Sequence, residues 1–106
     1  MAKGYWIVRL DITHIESFQA YIAANGAALA QYGAMYLTQA GKFIVPEGNT
    51  RSRNTIVEFP SYQAALDCWH CAPYQAAKAL REGSCEIDLV IVEGCEIAVP
   101  KPVDFI

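Results

Sequence analysis

Two segments of the chain are apolar almost without interruption, and they limit the possible folds more than any other feature. Residues 5–10 read Tyr-Trp-Ile-Val-Arg-Leu, and residues 89–92 read Leu-Val-Ile-Val. Short runs of β-branched and aromatic residues are typical of strands, and a strand that is apolar on both sides is covered on both sides. We therefore predict a central strand over residues 4–12 and a further strand over residues 87–93.

The segment after the first strand has the spacing of an amphipathic helix. Thr13 is followed three residues later by Glu16, and this capping-box pattern predicts the start of a helix. Gly33 is a suitable residue just beyond the last helical turn. An apolar stripe at helical spacing lies between these ends, and its members are Phe18, Ile22, Leu29 and Tyr32.

The rest of the chain supplies two more strands and an interrupted helix. Strands are predicted over residues 35–40 and 55–59. The long connection between them contains a possible short strand at residues 43–45. Ser61 is predicted to cap the next helix, which Pro73 should interrupt and then restart.

The resulting order, β-α-β-β-α-β, is typical of the ferredoxin-like α+β fold. Right-handed crossovers place both helices on one face of a four-stranded antiparallel sheet, so the other face has no cover. Of the 106 residues, 54% are hydrophobic and 18% are charged. A domain of this size buries only about 60–65% of its unfolded surface. We therefore expect a homodimer in which two open sheet faces meet, as in a dimeric α/β barrel.

Charge and hydropathy exclude several classes of partner. The net charge is −3, and the basic residues form no extended basic face, so nucleic-acid binding is not expected. No apolar run approaches the roughly 20 residues of a membrane span, and no signal-peptide pattern precedes the first strand. We expect a cytoplasmic protein with one domain over residues 1–95. Residues 96–106, which include Pro100 and Pro102, are expected to form an extended tail.

The four cysteines are predicted to be free and mostly buried thiols, namely Cys68, Cys71, Cys85 and Cys95. The Cys-x-x-Cys spacing of Cys68 and Cys71 leaves a redox pair and a zinc site as weaker alternatives. Cys68 would lie about two turns inside the helix, where the helix dipole no longer lowers a thiol pKa. The spacing fits no common zinc module, so no metal site is expected.

Several segments of the sequence resemble the small bacterial proteins of the domain of unknown function 1330 family, within the dimeric α/β-barrel superfamily. The resemblance covers residues 3–95, and its strongest stretch is Arg-Ser-Arg-Asn at 51–54 followed by residues 56–61. Other matching segments are residues 4–7, 64–65, 73–75, 78–81 and 90–94. The resemblance implies the fold and a homodimer but no established activity. The wider superfamily includes cofactor-free monooxygenases, lactone isomerases and haem-handling proteins. The resemblance to these proteins implies a pocket between the sheet and the helices.

His70 and Asn25 are the first candidates for such a pocket. His70 precedes the Pro73 break, where helix ends border open space, and its ordinary pKa suits a general acid or base. The alternative is a half-exposed or hydrogen-bonded structural histidine. Asn25 follows Phe18 by seven residues near the apolar stripe. A buried Asn must be hydrogen-bonded, either within the fold or to a ligand.

Charged residues around the third strand form a second group of candidates. Arg51 and Arg53 precede that strand and are suited to hold a carboxylate or phosphate, or alternatively acidic groups of a partner subunit. Arg9 and Glu58 lie on strands that should be neighbours. The favoured interpretation of that pair is a cross-strand ion pair, with the register left open.

Aromatic residues complete the predicted ligand-binding set, with Trp69, Tyr74 and Tyr5 as candidates beside Asn25 and Arg53. Aromatic walls with a few polar groups are typical of small-ligand pockets, although core packing also explains these residues. The resulting hypothesis is an enzyme without a bound cofactor, of isomerase, lyase or monooxygenase type, that acts on a small anionic or aromatic metabolite. The alternative is a homodimer that binds a ligand without catalysis or has a purely structural role.

Overall fold

The chain forms one four-stranded antiparallel sheet with three helices, as the computed structural model describes for residues 2–96. The elements are β1 (Gly4–Ile12), α1 (Ile15–Gln31), β2 (Met35–Gln39), β3 (Arg53–Phe59), α2 (Tyr62–His70), α3 (Ala72–Ala79) and β4 (Cys85–Glu93). The strand order is β2-β3-β1-β4. The predicted ferredoxin-like α+β fold is therefore confirmed, with the second helix divided into α2 and α3.

β1 is a central strand, as its apolar sequence predicted. It pairs with β3 on one side and with β4 on the other. Strand alternation directs Trp6, Val8 and Leu10 to one face, where all three side chains are buried in the core under the helices. The same face receives Val57 and Phe59 from β3.

α1 begins one residue later than the capping-box pattern predicted. The cap is His14, whose imidazole Nδ1 accepts a hydrogen bond from the Ser17 amide at 3.3 Å. The amides of Thr13 and His14 both donate to the carbonyl oxygen of Ser84, at 2.8 and 3.0 Å. These two bonds hold Thr13 in the connection before the helix, so the capping position moves to His14. Gly33 follows the helix with φ +74°, as predicted.

The break between α2 and α3 lies at Cys71, and Pro73 stands in the first turn of α3. Ser61 caps α2 as predicted, with its hydroxyl accepting from the Ala64 amide at 3.0 Å. Cys71 ends α2 and caps α3, because its Sγ accepts from the Tyr74 amide at 3.4 Å. Cys71 therefore has a structural role in joining the two helices.

The connection between β2 and β3 differs from the prediction. Residues 43–45 form no strand, and Ile44 is 83% exposed. Ala40, the residue after β2, has a left-handed φ of +51°, and the chain turns away from the sheet there before residues 43–45 could pair. β3 begins at Arg53 rather than at Thr55, because Arg53 still pairs with Leu10 of β1.

The face of the sheet opposite the helices carries the alternate residues of each strand. We call it the open face and define its apolar part as Ile7, Ile56, Val90 and Val92. Among the residues described, no helix covers this face.

The register also settles how Arg9 and Glu58 are related. Arg9 lies opposite Asn54 and Asp88, whereas Glu58 lies opposite Tyr5. The predicted ion pair between Arg9 and Glu58 is therefore wrong, because the register sets them about 13 Å apart along the strand direction.

None of the helices within residues 2–96 has the length and apolar character needed to cross a membrane. The tail predicted from residue 96 onwards lies, apart from Glu96 itself, outside the residues that the structure describes.

Candidate functional site

A cavity of about 90 Å³ lies between α1 and the helix-covered face of the sheet. Its wall is mostly aliphatic and aromatic, with a few polar side chains. The lining residues are Trp6, Val8, Leu10, Phe18, Tyr21, Ile22, Asn25, Leu29, Tyr36, Gln39, Ala40, Arg53, Thr55, Val57, Ile87 and Leu89. This composition is typical of small-ligand sites, but the volume is well below the roughly 300–1,000 Å³ that is usual for them.

Asn25 is the buried polar residue that α1 contributes to the cavity, and its side chain is 5% exposed. It follows Phe18 and Tyr21 on the inward face of the helix, as the stripe predicted. Across the cavity, β2 supplies Tyr36. Burial and the nearby Tyr21 raise the pKa of the Tyr36 hydroxyl, while its interaction with the Asn25 amide acts in the opposite direction. Tyr36 is therefore a neutral hydroxyl at physiological pH.

Arg53 gives the cavity wall its positive charge. Pairing with Leu10 places it on the helix-covered face at the start of β3. No Asp, Glu or His belongs to the wall as far as the described chain shows. A partly enclosed cavity with one cation and no carboxylate attracts anions rather than cations.

Arg51 does not contribute to this cavity. Its guanidinium contacts three carboxylates of its own chain: Asp11 at 3.1 Å, Glu86 at 3.0 Å and Asp88 at 2.7 Å. Of the two predicted anion-binding arginines, only Arg53 is thus left near a ligand cavity. The hydrogen bond from the Ser52 amide is the main cause of the lowered pKa of Asp11, and Arg51 adds to it.

Two tyrosines connect the cavity to the core behind it. The hydroxyls of Tyr21 and Tyr74 lie 2.8 Å apart, and Tyr74 is fully buried. The guanidinium of Arg81 stacks on the ring of Tyr21, 5.2 Å from its centroid. Tyr74 is therefore one hydrogen bond away from the cavity wall rather than part of it.

Trp69 also lies behind the wall, in an aromatic cluster. It packs edge-on against Trp6 and tilted against Tyr74, with centroid distances of 6.0 and 5.5 Å. Lys78 lies over its outer side at 5.9 Å. These contacts hold α2 and α3 on the sheet and shape the back of the cavity.

Two predicted site residues lie elsewhere. Tyr5 is on the open face of the sheet, where its hydroxyl donates to Oε1 of Glu58 at 3.2 Å. Burial is the main cause of its raised pKa, with Glu58 adding to it. His70 is exposed at the last position of α2 and does not belong to the cavity wall. The fold thus brings together Asn25 and Arg53, and the roles of all these residues stay predictions.

Sequence reasoning missed Tyr21 and Tyr36. Tyr21 precedes Asn25 by one helical turn, a spacing that could have identified it. Tyr36 lies on a short strand with a register shift between Tyr36 and Thr38, so simple alternation does not reveal its face.

The Cys-x-x-Cys segment has a structural explanation. Cys68 is fully buried on α2, and its Sγ lies 3.8 Å from the carbonyl oxygen of Ala28. Burial raises the pKa of the Cys68 thiol to about 12. Across residues 2–96, no three His, Cys, Asp or Glu side chains are grouped so as to hold a metal ion.

Solved structures with the same fold come from several bacteria. A protein of unknown function from Rhodopseudomonas palustris aligns with a TM-score of 0.73 at 14% identity, over 91% of this chain and 85% of that one. SnoaB, a cofactor-independent oxygenase from Streptomyces nogalater, aligns with a TM-score of 0.63 at 9% identity, over 95% and 100%. A conserved protein from Bacteroides thetaiotaomicron, described as a possible oxidoreductase, aligns with a TM-score of 0.56 at 12% identity, over 87% and 97%.

At these identities the alignments show a shared fold and nothing finer. No curated protein sequence matches the chain. Residues 3–95, which include every helix and strand described above, match the model of the family described as a domain of unknown function (DUF1330). The chain therefore belongs to the DUF1330 family.

Proposed function

We propose that the cavity binds a small aromatic or apolar anion and that the protein transforms this ligand without a bound cofactor. The observation that carries the proposal is the composition of the wall. Aromatic and aliphatic side chains enclose the space, and Asn25, Tyr36 and Arg53 are among the polar side chains of the wall that could fix one end of a ligand. Such a wall excludes water from the apolar part of the ligand and pairs its charge with Arg53.

The wall favours reactions in which negative charge develops on an oxygen atom of the substrate. A neutral Tyr36 hydroxyl and the Asn25 amide are hydrogen-bond donors, and donors placed before the reaction stabilise an oxyanion, most effectively where burial excludes water, as it does at Asn25. Isomerisation, elimination and cofactor-free oxygenation each pass through such anions. The fold shared with a cofactor-independent oxygenase is compatible with this class.

A second candidate is ligand binding without catalysis. It is favoured by the cavity wall itself, which contains no His, Cys, Asp or Glu among its described residues to take a proton from a substrate. The predicted proton carrier, His70, is exposed at the end of α2 and would have to act outside this cavity.

One experiment separates the two candidates. The purified protein is screened by thermal shift against a set of small aromatic and aliphatic carboxylic acids and phenols. Each hit is then incubated with the protein in air and without oxygen, and the mixture is followed by mass spectrometry. Binding with turnover supports the enzyme, and binding without any product supports the binding protein. If no acid or phenol raises the melting temperature, both candidates are wrong.

We also propose that a second copy of this chain covers the open face. Its apolar part is contributed by three strands, and Val90 on the edge strand β4 is 55% exposed. A contiguous apolar patch on a sheet is typical of an interface rather than of a monomer surface. Like faces meet about a twofold axis in a symmetric dimer, so one apolar patch serves both subunits. The free thiols further favour a reducing compartment, for which the cytoplasm is our proposal.

A further inference from the structure

Arg81 is a buried cation for which the described part of the chain provides no anion. Arg81 lies two residues after the end of α3 and is 7% exposed. The ion pairs found within residues 2–96 all involve Arg51, and Nε of Arg81 has no hydrogen-bond partner there. A charge removed from water without a paired opposite charge is costly. We therefore asked which group could balance the buried charge of Arg81.

The surroundings of Arg81 lead directly to the cavity. Its guanidinium lies over the ring of Tyr21, 5.2 Å from the centroid, and is also close to the hydroxyl of Tyr74. The hydroxyls of Tyr74 and Tyr21 are 2.8 Å apart. Tyr21 belongs to the cavity wall, whereas Tyr74 does not. The series Arg81, Tyr74, Tyr21 therefore extends from a buried charge to the ligand space.

The charge at one end sets the direction of the hydrogen bonds. Guanidinium N–H groups are donors only, so a guanidinium beside Tyr74 favours the orientation in which the lone pairs of the Tyr74 oxygen point towards it. The proton of Tyr74 is then best placed to donate to the Tyr21 oxygen. The proton of Tyr21 remains free to donate into the cavity, and each bond in such a chain strengthens the next.

We propose that Arg81 and Tyr74 orient and polarise the Tyr21 hydroxyl as the hydrogen-bond donor to an oxygen anion of the cavity ligand. The ligand class is a phenolate, enolate or carboxylate, and the inference rests on the proposed function of the cavity. Arg81 and Tyr74 are positioning residues, because neither belongs to the cavity wall. Within residues 2–96, the other titratable groups that act on this series are Tyr36 and Cys85, and neither is a carboxylate that would balance the charge of Arg81.

The test uses 4-nitrophenol and nitrobenzene as probes. The first carries an ionisable oxygen and the second does not, and the absorbance of 4-nitrophenol reports its ionisation. We expect the wild-type protein to bind 4-nitrophenol as the anion and to lower its pKa. Tyr21→Phe should weaken binding of the anion at least tenfold, the size expected for one hydrogen bond to a charged group. Its affinity for nitrobenzene should stay unchanged.

Tyr74→Phe tests the orienting role while it preserves the ring and the packing. It should raise the pKa of bound 4-nitrophenol above the wild-type value without a comparable change in nitrobenzene affinity, which a purely structural role would not produce. Arg81→Met should shift this pKa in the same direction. The matched control is Tyr62→Phe on the exposed side of α2, which should match the wild type. Melting temperatures of all variants show whether each one is folded.

The outcomes distinguish the two proposals. If Tyr21→Phe and Tyr74→Phe bind both probes as the wild type does, with the same absorbance spectrum, the inference about the tyrosines is wrong and the cavity proposal stands. If the wild-type protein binds neither probe, the cavity proposal is wrong and this inference with it.

Discussion

Arg51 joins the connection before β3 to the end of β1, because its Nη1 lies 3.1 Å from Oδ2 of Asp11. Glu86 and Asp88 of β4 contact the same guanidinium, so one arginine links three acidic groups of two strands. From the sequence pattern alone, this arginine could hold either a ligand anion or acidic groups of a partner subunit. The fold instead uses it to neutralise the acidic end of its own sheet.

Asp11 makes the stability of the protein depend on acid. Its folded-state pKa is lowered from the ordinary value of 3.8, chiefly by the Ser52 amide. The stabilising contribution is therefore complete above pH 3.8 and is lost as pH falls through the lowered folded-state value. In urea unfolding, the wild type should lose stability in this range more steeply than Asp11→Asn does. Equal slopes for the two proteins would contradict the assignment, and Glu82→Gln in the exposed turn after α3 is the control.

Ala40, at the cavity wall, has a strained backbone conformation, because its φ is +51°. A left-handed conformation costs an L-residue about 1–2 kcal/mol, and glycine escapes most of that. Ala40→Gly should raise the free energy of unfolding by about 0.5–1 kcal/mol, measured by urea denaturation. Ala23→Gly, in the exposed middle of α1, should lower it by a similar amount. A loss of stability in Ala40→Gly would show that the strain is absent.

A substitution of Asn25 can show whether its amide binds a ligand or is hydrogen-bonded within the fold. Asn25→Leu removes a buried amide and its interaction with the Tyr36 hydroxyl, and we expect the free energy of unfolding to change by no more than about 1 kcal/mol. Binding of cavity ligands in the thermal-shift screen should be lost. A fall in stability of more than about 2 kcal/mol would indicate that Asn25 is bonded within the fold. Ala24→Leu, on the exposed side of the same helix, is the control.

Cys68 should react slowly with thiol reagents, because the thiolate is the reactive form. With its pKa near 12, only about one Cys68 thiol in ten thousand is ionised at pH 8. We expect iodoacetamide to label exposed Cys95 first and Cys68 only after urea unfolding, as read by peptide mass spectrometry. Fast labelling of Cys68 in the native protein would favour the redox alternative.

Val90 tests the proposed dimer. A carboxylate in an apolar interface is left unpaired against its twofold-related copy, so Val90→Asp should halve the native mass from about twice 11.7 kDa. Ile15→Asp carries the same change at a similarly exposed position on α1 and should leave the mass unchanged. A wild-type protein that is monomeric at micromolar concentration in native mass spectrometry would refute the dimer.

The sequence by itself determined the order of elements, the fold class and the family. The family followed from a resemblance over residues 3–95. Local signals were sufficient for the order of elements and the fold class: apolar runs mark β1 and β4, Ser61 caps α2, and Pro73 restarts the helix as α3. Each signal acts within a few residues through backbone geometry or burial, so it can be interpreted without knowledge of the partner elements.

Only the tertiary structure decided which side chains meet. Asn25 and Arg53 reach one cavity, while His70 lies at an exposed helix end and Tyr5 on the other face of the sheet. The sequence could not show which of these four residues face the cavity. The sheet face on which a strand residue lies depends on the pairing register, and the position of a helix residue depends on how the helix packs. The pairing of Tyr21 with Tyr74 joins positions 53 residues apart, which no local pattern connects. Contacts at that separation are fixed by how α1 and α3 pack together on the sheet. The cavity wall likewise combines residues of α1 with residues of strands that are distant in the sequence.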